Sequence, residues 1–401
     1  GPAPADAPLR AESDYGSWLA ASGFGTWGEH GDPAATAQTG TPRNHPLSPE
    51  LAHAVQSRDV RLLEALEQKA WTQAVRPYHL HGLSVANDDP LFLWDGVPRY
   101  PGSRDLSIES LGRRALIEND PHPAYRTRVL GGLAHAHGFW PYDVEHFSMD
   151  LVFDYWTVTG DAWARDELRQ LGENLRGILR PEGFFTSKLQ QARTEGWMMQ
   201  ALVQAYLATD DIRFRDAALD RVHYIVDRDR AGNHPSHAIT INGSDARTGW
   251  PEPHGFYMPW QHGAILYGYL AGWKFFGDEF YLTICDEVVR CVDYAWVRNV
   301  TQAPFGFVTD GLRYYTPTSF DGAYVPASHF DATHGIPFGD SPLGGAHLFL
   351  LAGLLMHSRI GKDAGIRALA GQYGELLLQA PLGDGERWNK WYYCLPPEWN
   401  P

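Results

Sequence analysis

The sequence predicts an all-α fold built from repeated helical hairpins. Three observations lead to this prediction. Amphipathic helix pairs recur after residue 143, a short turn rich in Gly and Asp separates the two helices of each pair, and the two helices differ in composition. A chain of 401 residues would ordinarily suggest more than one domain, at about 150 residues each. Because stacked hairpins share a continuous core, we instead predict one large helical domain over residues 48–401.

The first 47 residues predict an extended N-terminal arm. They are rich in Gly, Pro, Ser and Asn, and carry isolated aromatic side chains at Tyr15, Trp18, Phe24 and Trp27. A helix is predicted to follow over residues 48–75, with Ser48 as its cap. Residues 3–8 resemble the start of a mature chain after a removed signal, so we expect a secreted or periplasmic protein.

Four helix pairs are predicted in the remainder of the chain. The first helices span residues 143–159, 193–209, 259–276 and 343–360, and the return helices span residues 162–179, 214–226, 279–297 and 364–378. The intervening turns are Gly160-Asp161, Asp210-Asp211, Gly277-Asp278 and Gly361-Lys362-Asp363. Gly adopts the left-handed conformation that closes a helix, and Asp accepts the N–H groups that open the next one. These turns are therefore typical of helical hairpins.

The two helices of each pair are predicted to face different surroundings. First helices carry His, Trp and Tyr, whereas return helices carry charged runs such as Arg165-Asp166-Glu167. This difference indicates that the first helices line an interior and the return helices face solvent. Segments 131–142, 242–258 and 329–342, each before a first helix, are rich in Gly, Pro and aromatic residues. We expect these long loops to meet at one mouth of the helical assembly.

The turns also carry a family resemblance. Thr159-Gly160-Asp161, Thr209-Asp210-Asp211 and Phe276-Gly277-Asp278 each follow a helix containing Trp or Tyr, and they resemble the hairpins of (α/α) toroid carbohydrate-active proteins. That group includes many polysaccharide lyases and inverting glycoside hydrolases, and the chain is also similar to the toroid of exo-acting rhamnogalacturonan lyases. Over residues 50–380 the resemblance implies an (α/α)n toroid or barrel and an oligo- or polysaccharide substrate. The resemblance is specific for fold rather than for reaction.

Charge and motifs exclude several other classes of function. The net charge of −15 and the lack of a basic stretch argue against nucleic-acid binding. No run of about 18 apolar residues is present, so no membrane span is predicted. The sequence contains no GxSxG, Walker, HExxH or dinucleotide-binding motif, and we predict neither a metal nor a cofactor. Aromatic residues make up 13% of the chain, which favours a ring-lined cleft of the kind that binds sugars.

Two loop segments concentrate side chains suited to acid–base chemistry. Residues 131–146 and 248–263 each place His and Tyr at or just before the start of a first helix. Alternating histidines in extended backbone point in the same direction. The candidate catalytic residues are His135, His137, Tyr142, His146, Tyr257 and His262.

Candidate substrate-binding residues lie in the same loops and at one further helix start. Arg193 would suit a uronate carboxylate, because a guanidinium group binds both carboxylate oxygens. The full set is Tyr78, His81, Trp140, Arg193, Glu195, Trp250, His254 and Trp260.

These residue types favour a polysaccharide lyase that cleaves a uronate-containing glycan by β-elimination. The reaction needs a group that neutralises the uronate carboxylate, a base and an acid, and Arg, His and Tyr can serve in these roles. An inverting glycoside hydrolase would instead need two carboxyl groups about 6.5–9.5 Å apart. Its candidates are Asp143, Glu145 and Asp340, with Glu195 and Glu252 as further carboxylates. A non-catalytic carbohydrate-binding protein is the third alternative.

Overall fold

The computed structural model describes residues 47–48, 51, 54–55, 58–74, 148–178, 192–226, 230, 234, 236–239, 241–242, 255–301, 308–313, 316–320, 323–324 and 345–379. These residues fall into two compact units. The N-terminal unit comprises the described residues up to 178 together with 197–224, and the C-terminal unit comprises 192–196 with those from 225 onward. Apart from Leu47, the predicted arm over residues 1–47 lies outside the described residues, and the single domain over 48–401 stays a prediction.

The described part of the N-terminal unit is helical. Its helices are α1 (Arg61–Ala74), α2 (Asp150–Thr159), α3 (Ala162–Ile178), α4 (Ala192–Thr209, whose first five residues belong to the C-terminal unit) and α5 (Ile212–Arg221). A π-helical turn, Val222–Val226, continues from α5. Helix α2 packs against both α1 and α3. Buried apolar side chains from these helices form the core of the unit, among them Leu66, Val152, Leu168, Leu202 and Phe214.

The described part of the C-terminal unit contains two further hairpins. They consist of α6 (His262–Phe276) with α7 (Phe280–Ala295), and α8 (Leu351–Ile360) with α9 (Ala364–Gln379). The 3₁₀ turns Pro259–Gln261 and Gly345–Leu350 lead into α6 and α8. Paired helices therefore dominate both units, and the predicted all-α class of helical hairpins is confirmed. None of the described helices is long and apolar enough to cross a lipid bilayer.

The hairpin turns form largely as the sequence predicts. Gly160 and Gly277 close α2 and α6 at φ values of 68° and 78°, in the left-handed region that Gly adopts without strain. Asp211 caps α5 by accepting the Arg213 N–H at 3.0 Å, and Asp278 accepts the Phe280 N–H at 2.8 Å. These two features, a left-handed end and an acidic cap, define where the helices stop and restart.

The last hairpin turn differs from the prediction. Gly361 has φ −53° and ψ 152°, so it does not close α8 in the left-handed conformation. The imidazole of His357 occupies the space where a Cβ of Gly361 would lie. His357 Nε2 lies 2.7 Å from Asp286 Oδ1, and Asp286 Oδ2 accepts the Asp363 N–H at 3.3 Å. Glycine is needed here for the close contact with the ring rather than for a positive φ.

The helix predicted over residues 48–75 is interrupted. Ser48 Oγ accepts the Leu51 N–H at 3.3 Å, which agrees with the predicted cap. Arg58, however, has φ 59°, a left-handed conformation that ends a helix. Asp59 then accepts the Arg61 N–H at 3.0 Å and caps α1. Arg58 thus ends the first helical segment and Asp59 begins α1, although the amphipathic pattern continues across both residues.

Short strands occur in the C-terminal unit where the sequence analysis predicted loops or helix. Strands β1 (Ile241–Asn242), β2 (Gly255–Tyr257) and β5 (Thr316–Pro317) form an antiparallel sheet in the order β1-β2-β5. Strands β3 (Trp296–Thr301) and β4 (Val308–Leu312) form one antiparallel pair, and β6 (Ser319–Phe320) and β7 (Ala323–Tyr324) form another. The return helix predicted to reach residue 297 ends at Ala295, because Trp296 pairs with Leu312 in β3–β4.

In the C-terminal unit, α6 lies directly against the first turn of α4 and against the 3₁₀ turn before α8. A Cβ on Gly268 of α6 would overlap the carbonyl oxygen of Gly196 in α4, and a Cβ on Gly196 would overlap the Ala264 main chain. A Cβ on Gly263 would lie 2.5 Å from the Phe349 carbonyl oxygen. Glycines therefore allow close backbone contact from α6 to the first turn of α4 and to the 3₁₀ lead of α8.

Candidate functional site

Most of the predicted site residues lie outside the described part of the chain. These are His135, His137, Tyr142, His146, Tyr78, His81, Trp140, Trp250, His254, Asp143, Glu145 and Asp340. Their roles stay predictions. The described residues include Arg193, Glu195, Tyr257, Trp260 and His262, all of which belong to the C-terminal unit.

Arg193 and Trp260 come together where two first helices begin. Arg193 lies in the first turn of α4, and Trp260 lies in the 3₁₀ turn that leads into α6. The guanidinium carbon of Arg193 lies 5.2 Å from the centroid of the Trp260 ring, within the range of a cation–π contact. Glu195, in the same turn of α4, is buried. Trp260 is itself buried, so this contact packs the guanidinium group of Arg193 against a core ring.

Tyr257 is buried in the core next to α7. Its hydroxyl donates to the Cys291 main-chain carbonyl at 2.8 Å, and no part of the side chain is exposed to solvent. Burial raises the pKa of Tyr257 well above the usual value for a phenol. A base must give up its proton near the working pH, so this environment does not favour the predicted base role, which stays a prediction.

His262 also has the surroundings of a core residue. Its Nε2 accepts the Ile239 N–H at 3.2 Å, and its Nδ1 lies 3.3 Å from the Met258 carbonyl oxygen, to which it donates. Burial lowers the pKa of His262 to about 4, so the ring is neutral at pH 7. Because main-chain groups occupy both ring nitrogens, a catalytic role for His262 stays a prediction without support from these contacts.

A second histidine, which the sequence analysis did not select, lies in the same core. His234 is buried, and its Nδ1 accepts the Ser236 N–H at 3.1 Å and also contacts the Ser236 hydroxyl. Its ring meets the Tyr257 ring edge-on, with centroids 5.8 Å apart. Burial, and then the charges of neighbouring histidines, lower the pKa of His234 to about 4. The rings of His234 and His262 both meet the Tyr257 ring edge-on, so the three buried side chains form one core group.

The N-terminal unit contains a buried carboxylate that the sequence analysis missed. Asp150, in the first turn of α2, is only 5% exposed. Its Oδ1 accepts hydrogen bonds from Gln200 Nε2 and Gln204 Nε2 of α4, both at 2.7 Å. Its Oδ2 accepts the Ser148 hydroxyl at 2.9 Å. We call Ser148, Asp150, Gln200 and Gln204 the Asp150 cluster.

A side chain from α1 fixes the helix that carries Asp150. Gln73 Oε1 accepts the N–H groups of Leu151 at 3.0 Å and Val152 at 3.2 Å, which caps the start of α2. Gln73 Nε2 also donates to Ser148 Oγ at 3.3 Å. The carboxylate of Asp150 is thus held at one place by neighbours on two other helices.

A sequence signal for this cluster does exist. Asp150 interrupts an apolar run from Met149 to Val152, and Gln200 and Gln204 stand four residues apart on a helix whose other residues nearby are apolar. Polar side chains four apart share one helix face, so a buried polar face was detectable on α4. Asp150 itself had the position of an ordinary acidic first-turn residue, which is common at helix starts.

The Asp150 cluster has the features of an acid–base site. A carboxylate buried among amide and hydroxyl donors keeps a fixed orientation, as general acid–base catalysis requires. Among the residues that the structure describes, no group of three or more His, Cys, Asp or Glu side chains could hold a metal ion.

Comparison with known proteins gives similarity at the level of fold. No protein-family model matches the sequence, and no curated protein matches it significantly. An unsaturated glucuronyl hydrolase from Bacillus sp. GL1, responsible for the degradation of glycosaminoglycan, is 16% identical with a TM-score of 0.40, over 57% of this chain and 54% of that chain. A structure of UGL with dGlcA-Glc-Rha-Glc is 17% identical with a TM-score of 0.39, over 59% and 56%. An unsaturated glucuronyl hydrolase specific for heparin is 11% identical with a TM-score of 0.45, over 90% and 83%.

The aligned part of the chain spans about half the length of the first two of these structures. Because every TM-score is below 0.5, the similarities carry no argument about the reaction of this chain or about the residues that perform it.

Proposed function

We propose that this protein is a carbohydrate-degrading enzyme that hydrolyses a glycosidic bond, with Asp150 as one of its two acid–base carboxylates. The observation that carries the proposal is the fixed, buried carboxylate of Asp150 at the start of a first helix. Two glutamine amides and one serine hydroxyl hold it by hydrogen bonds. Such a group can donate a proton to a leaving oxygen or activate water, which are the two tasks of glycosidase carboxylates.

The second carboxylate of the pair comes, in this proposal, from the loops. Asp143 and Glu145 precede Asp150 in the sequence by seven and five residues, and Asp340 precedes the last hairpin in the sequence. In an inverting mechanism this partner stands about 6.5–9.5 Å from the first, which leaves room for a water molecule. The stereochemistry of the released sugar therefore reports the separation of the two groups.

The proposed substrate is an acidic glycan. The support is the sequence, in which Arg193 can bind both oxygens of a carboxylate and aromatic residues make up 13% of the chain. The three similar structures are by name glucuronyl hydrolases or are bound to a glucuronyl oligosaccharide, so unsaturated uronyl oligosaccharides belong among the substrates to be tested.

A polysaccharide lyase is the second candidate. It is favoured by the density of His and Tyr in residues 131–146, where His135, His137, Tyr142 and His146 lie outside the described part of the chain. β-Elimination would use one of these as the base and another as the acid. Tyr257 and His262 offer this mechanism less support, because their polar atoms are hydrogen-bonded to main-chain groups.

One assay separates these reactions. The purified protein is incubated with uronate polysaccharides, neutral glycans and unsaturated uronyl oligosaccharides, and ultraviolet absorbance and reducing ends are recorded separately. Hydrolysis of an ordinary glycan gives new reducing ends at constant absorbance, and hydrolysis of an unsaturated uronyl group lowers the absorbance. A lyase instead raises the absorbance as it makes unsaturated product, and that result would replace the hydrolase proposal. Binding without either signal would leave the non-catalytic carbohydrate-binding alternative.

A further inference from the structure

The amide oxygens of Gln200 and Gln204 are buried hydrogen-bond acceptors that have no donor among the described residues. The two side chains are only 6% and 5% exposed. Each uses its Nε2 to donate to Asp150 Oδ1, which leaves each Oε1 without a bond. Buried polar atoms in folded proteins are almost always hydrogen-bonded. No described residue supplies donors to these two acceptors on adjacent turns of one helix, so a bound ligand can supply them.

A third buried glutamine beside the same cluster shows the contrast. Gln73 Oε1 accepts the N–H groups of Leu151 and Val152, and its Nε2 donates to Ser148 Oγ. Its amide is therefore used at both ends, by groups that hold α2 in place. The amide of Gln73 is thus saturated, whereas the amide oxygens of Gln200 and Gln204 have no donor among the described residues.

A site made only of acceptors selects either hydroxyl groups or a cation. The hydrogens of two amides and one hydroxyl already point at the carboxylate of Asp150. These hydrogens carry positive partial charge, so they weaken the attraction of a cation to the one anionic group of the cluster. Hydroxyl groups carry no net charge and can donate to both amide oxygens. The chemistry of the cluster thus favours a polyhydroxylated ligand.

We propose that Gln200 and Gln204 bind two hydroxyl groups of the sugar unit that reaches Asp150, and so select the substrate by its hydroxyl pattern. This inference rests on the proposed glycan-degrading function and deepens it. The same amide that accepts a sugar hydroxyl also donates to Asp150, so a substrate with the correct hydroxyls holds the carboxylate more firmly. Sugar hydroxyls would supply to the two acceptors the hydrogen bonds that water gives to exposed amides.

The test uses Gln200→Met and Gln204→Met, which keep the length of the side chain and remove the amide. The substrate is a glucuronyl disaccharide, measured beside its 2-deoxy and 3-deoxy analogues. Each variant should raise KM for the parent sugar about tenfold, the effect of one lost hydrogen bond to a buried group. For the deoxy sugar that lacks the bound hydroxyl, variant and wild type should have the same KM, because neither can form the bond.

The melting temperature Tm gives an independent measurement, because a purely structural role of Gln200 and Gln204 would lower Tm in their variants. Asp211→Ala removes the cap of α5, away from the Asp150 cluster, and should lower Tm without raising KM. The α4 variants should instead raise KM without lowering Tm by more than a few degrees. Where an α4 variant is poorly folded, glycan binding to Asp150→Asn and to Asp150→Asn combined with Gln200→Ala is compared by calorimetry.

The outcomes separate this inference from the proposed function. If wild-type protein cleaves glycans and the α4 variants keep the wild-type KM on every sugar, the hydroxyl-binding role is overturned and the hydrolase proposal stands. If wild-type protein neither binds nor cleaves any glycan, both are overturned. Calcium or sodium binding that disappears in Gln200→Met would show a cation site and would also overturn the inference.

Discussion

Gly268 of helix α6 lies directly against the carbonyl oxygen of Gly196 in helix α4, with no room for a side chain at either position. Replacing Gly268 with Ala should therefore lower the free energy of unfolding by at least ~2 kcal/mol, since an inserted methyl group forces the two backbones apart. The measurement is a urea unfolding curve, read as a lower midpoint at an unchanged slope.

Gly371 of helix α9 is the matched control. A Cβ at this position would meet only Ser358 Cβ, at 3.4 Å, which is an ordinary contact. Gly371→Ala should leave stability unchanged or raise it by about 0.5–1 kcal/mol, because Ala is the better helix former. Equal losses in the two variants would show that close packing of α4 on α6 is not the cause.

His262 should make the protein less stable as the pH falls. Its pKa is about 4 in the folded protein, below the ordinary value of 6.5. Between these values the unfolded chain binds a proton that the folded chain does not, so stability is lost from about pH 6.5 down to pH 4. The loss for one such group is at most ~1.4 kcal/mol per pH unit. Urea curves at pH 7, 6 and 5 measure it.

His262→Gln should reduce the loss of stability between pH 7 and pH 5. His234, whose pKa is also lowered to about 4, should account for part of the loss that this variant still shows. His223→Gln serves as the control, since His223 is exposed on the π-helical turn after α5.

His262→Ala should lower Tm, because the Ile239 N–H loses its acceptor. A variant that loses all activity at full stability would instead support the catalytic role predicted from the sequence.

Arg193→Lys tests the preference for an acidic ligand. Lysine keeps the charge but lacks the planar fork that binds both oxygens of a carboxylate and stacks on Trp260. KM for a uronate glycan should rise about tenfold, the equivalent of ~1.4 kcal/mol, while KM for a neutral glycan stays the same. The control is Arg165→Lys on the exposed face of α3. A parallel change for acidic and neutral glycans would argue against carboxylate recognition by Arg193.

Much of the hairpin architecture was predictable because its determinants are local. The left-handed ends at Gly160 and Gly277 and the cap at Asp211 each depend on a few consecutive residues. The break at Arg58-Asp59 was missed because the apolar periodicity continues across it. At Gly361 the prediction of a left-handed helix end was wrong. Glycine is needed there because the His357 ring lies where a Cβ would be, and only the tertiary structure brings that ring to Gly361.

The candidate site was harder to predict because burial is a long-range property. Tyr257 and His262 have the side chains of an acid–base pair, yet the main-chain groups of Cys291 and Ile239 use their polar atoms. Asp150, in contrast, gains its character from glutamines 50 and 54 residues later in the chain. The local pattern shows a polar residue in an apolar run at Asp150, but it does not identify the glutamines of α4 as its partners.

The measurement that most directly tests the proposed role of Asp150 is the activity of Asp150→Asn beside Asp154→Asn. Both residues are buried carboxylates of α2, one turn apart, but Asp154 accepts the Ser48 N–H at 2.8 Å and lies outside the Asp150 cluster. Asn at position 150 can still accept both glutamine amides while it loses the ability to transfer a proton. We predict that Asp150→Asn lowers kcat on the glycan by about 10²–10⁴-fold at nearly unchanged Tm, whereas Asp154→Asn lowers Tm and keeps kcat. An Asp150→Asn variant with kcat within about twofold of wild type would contradict the account.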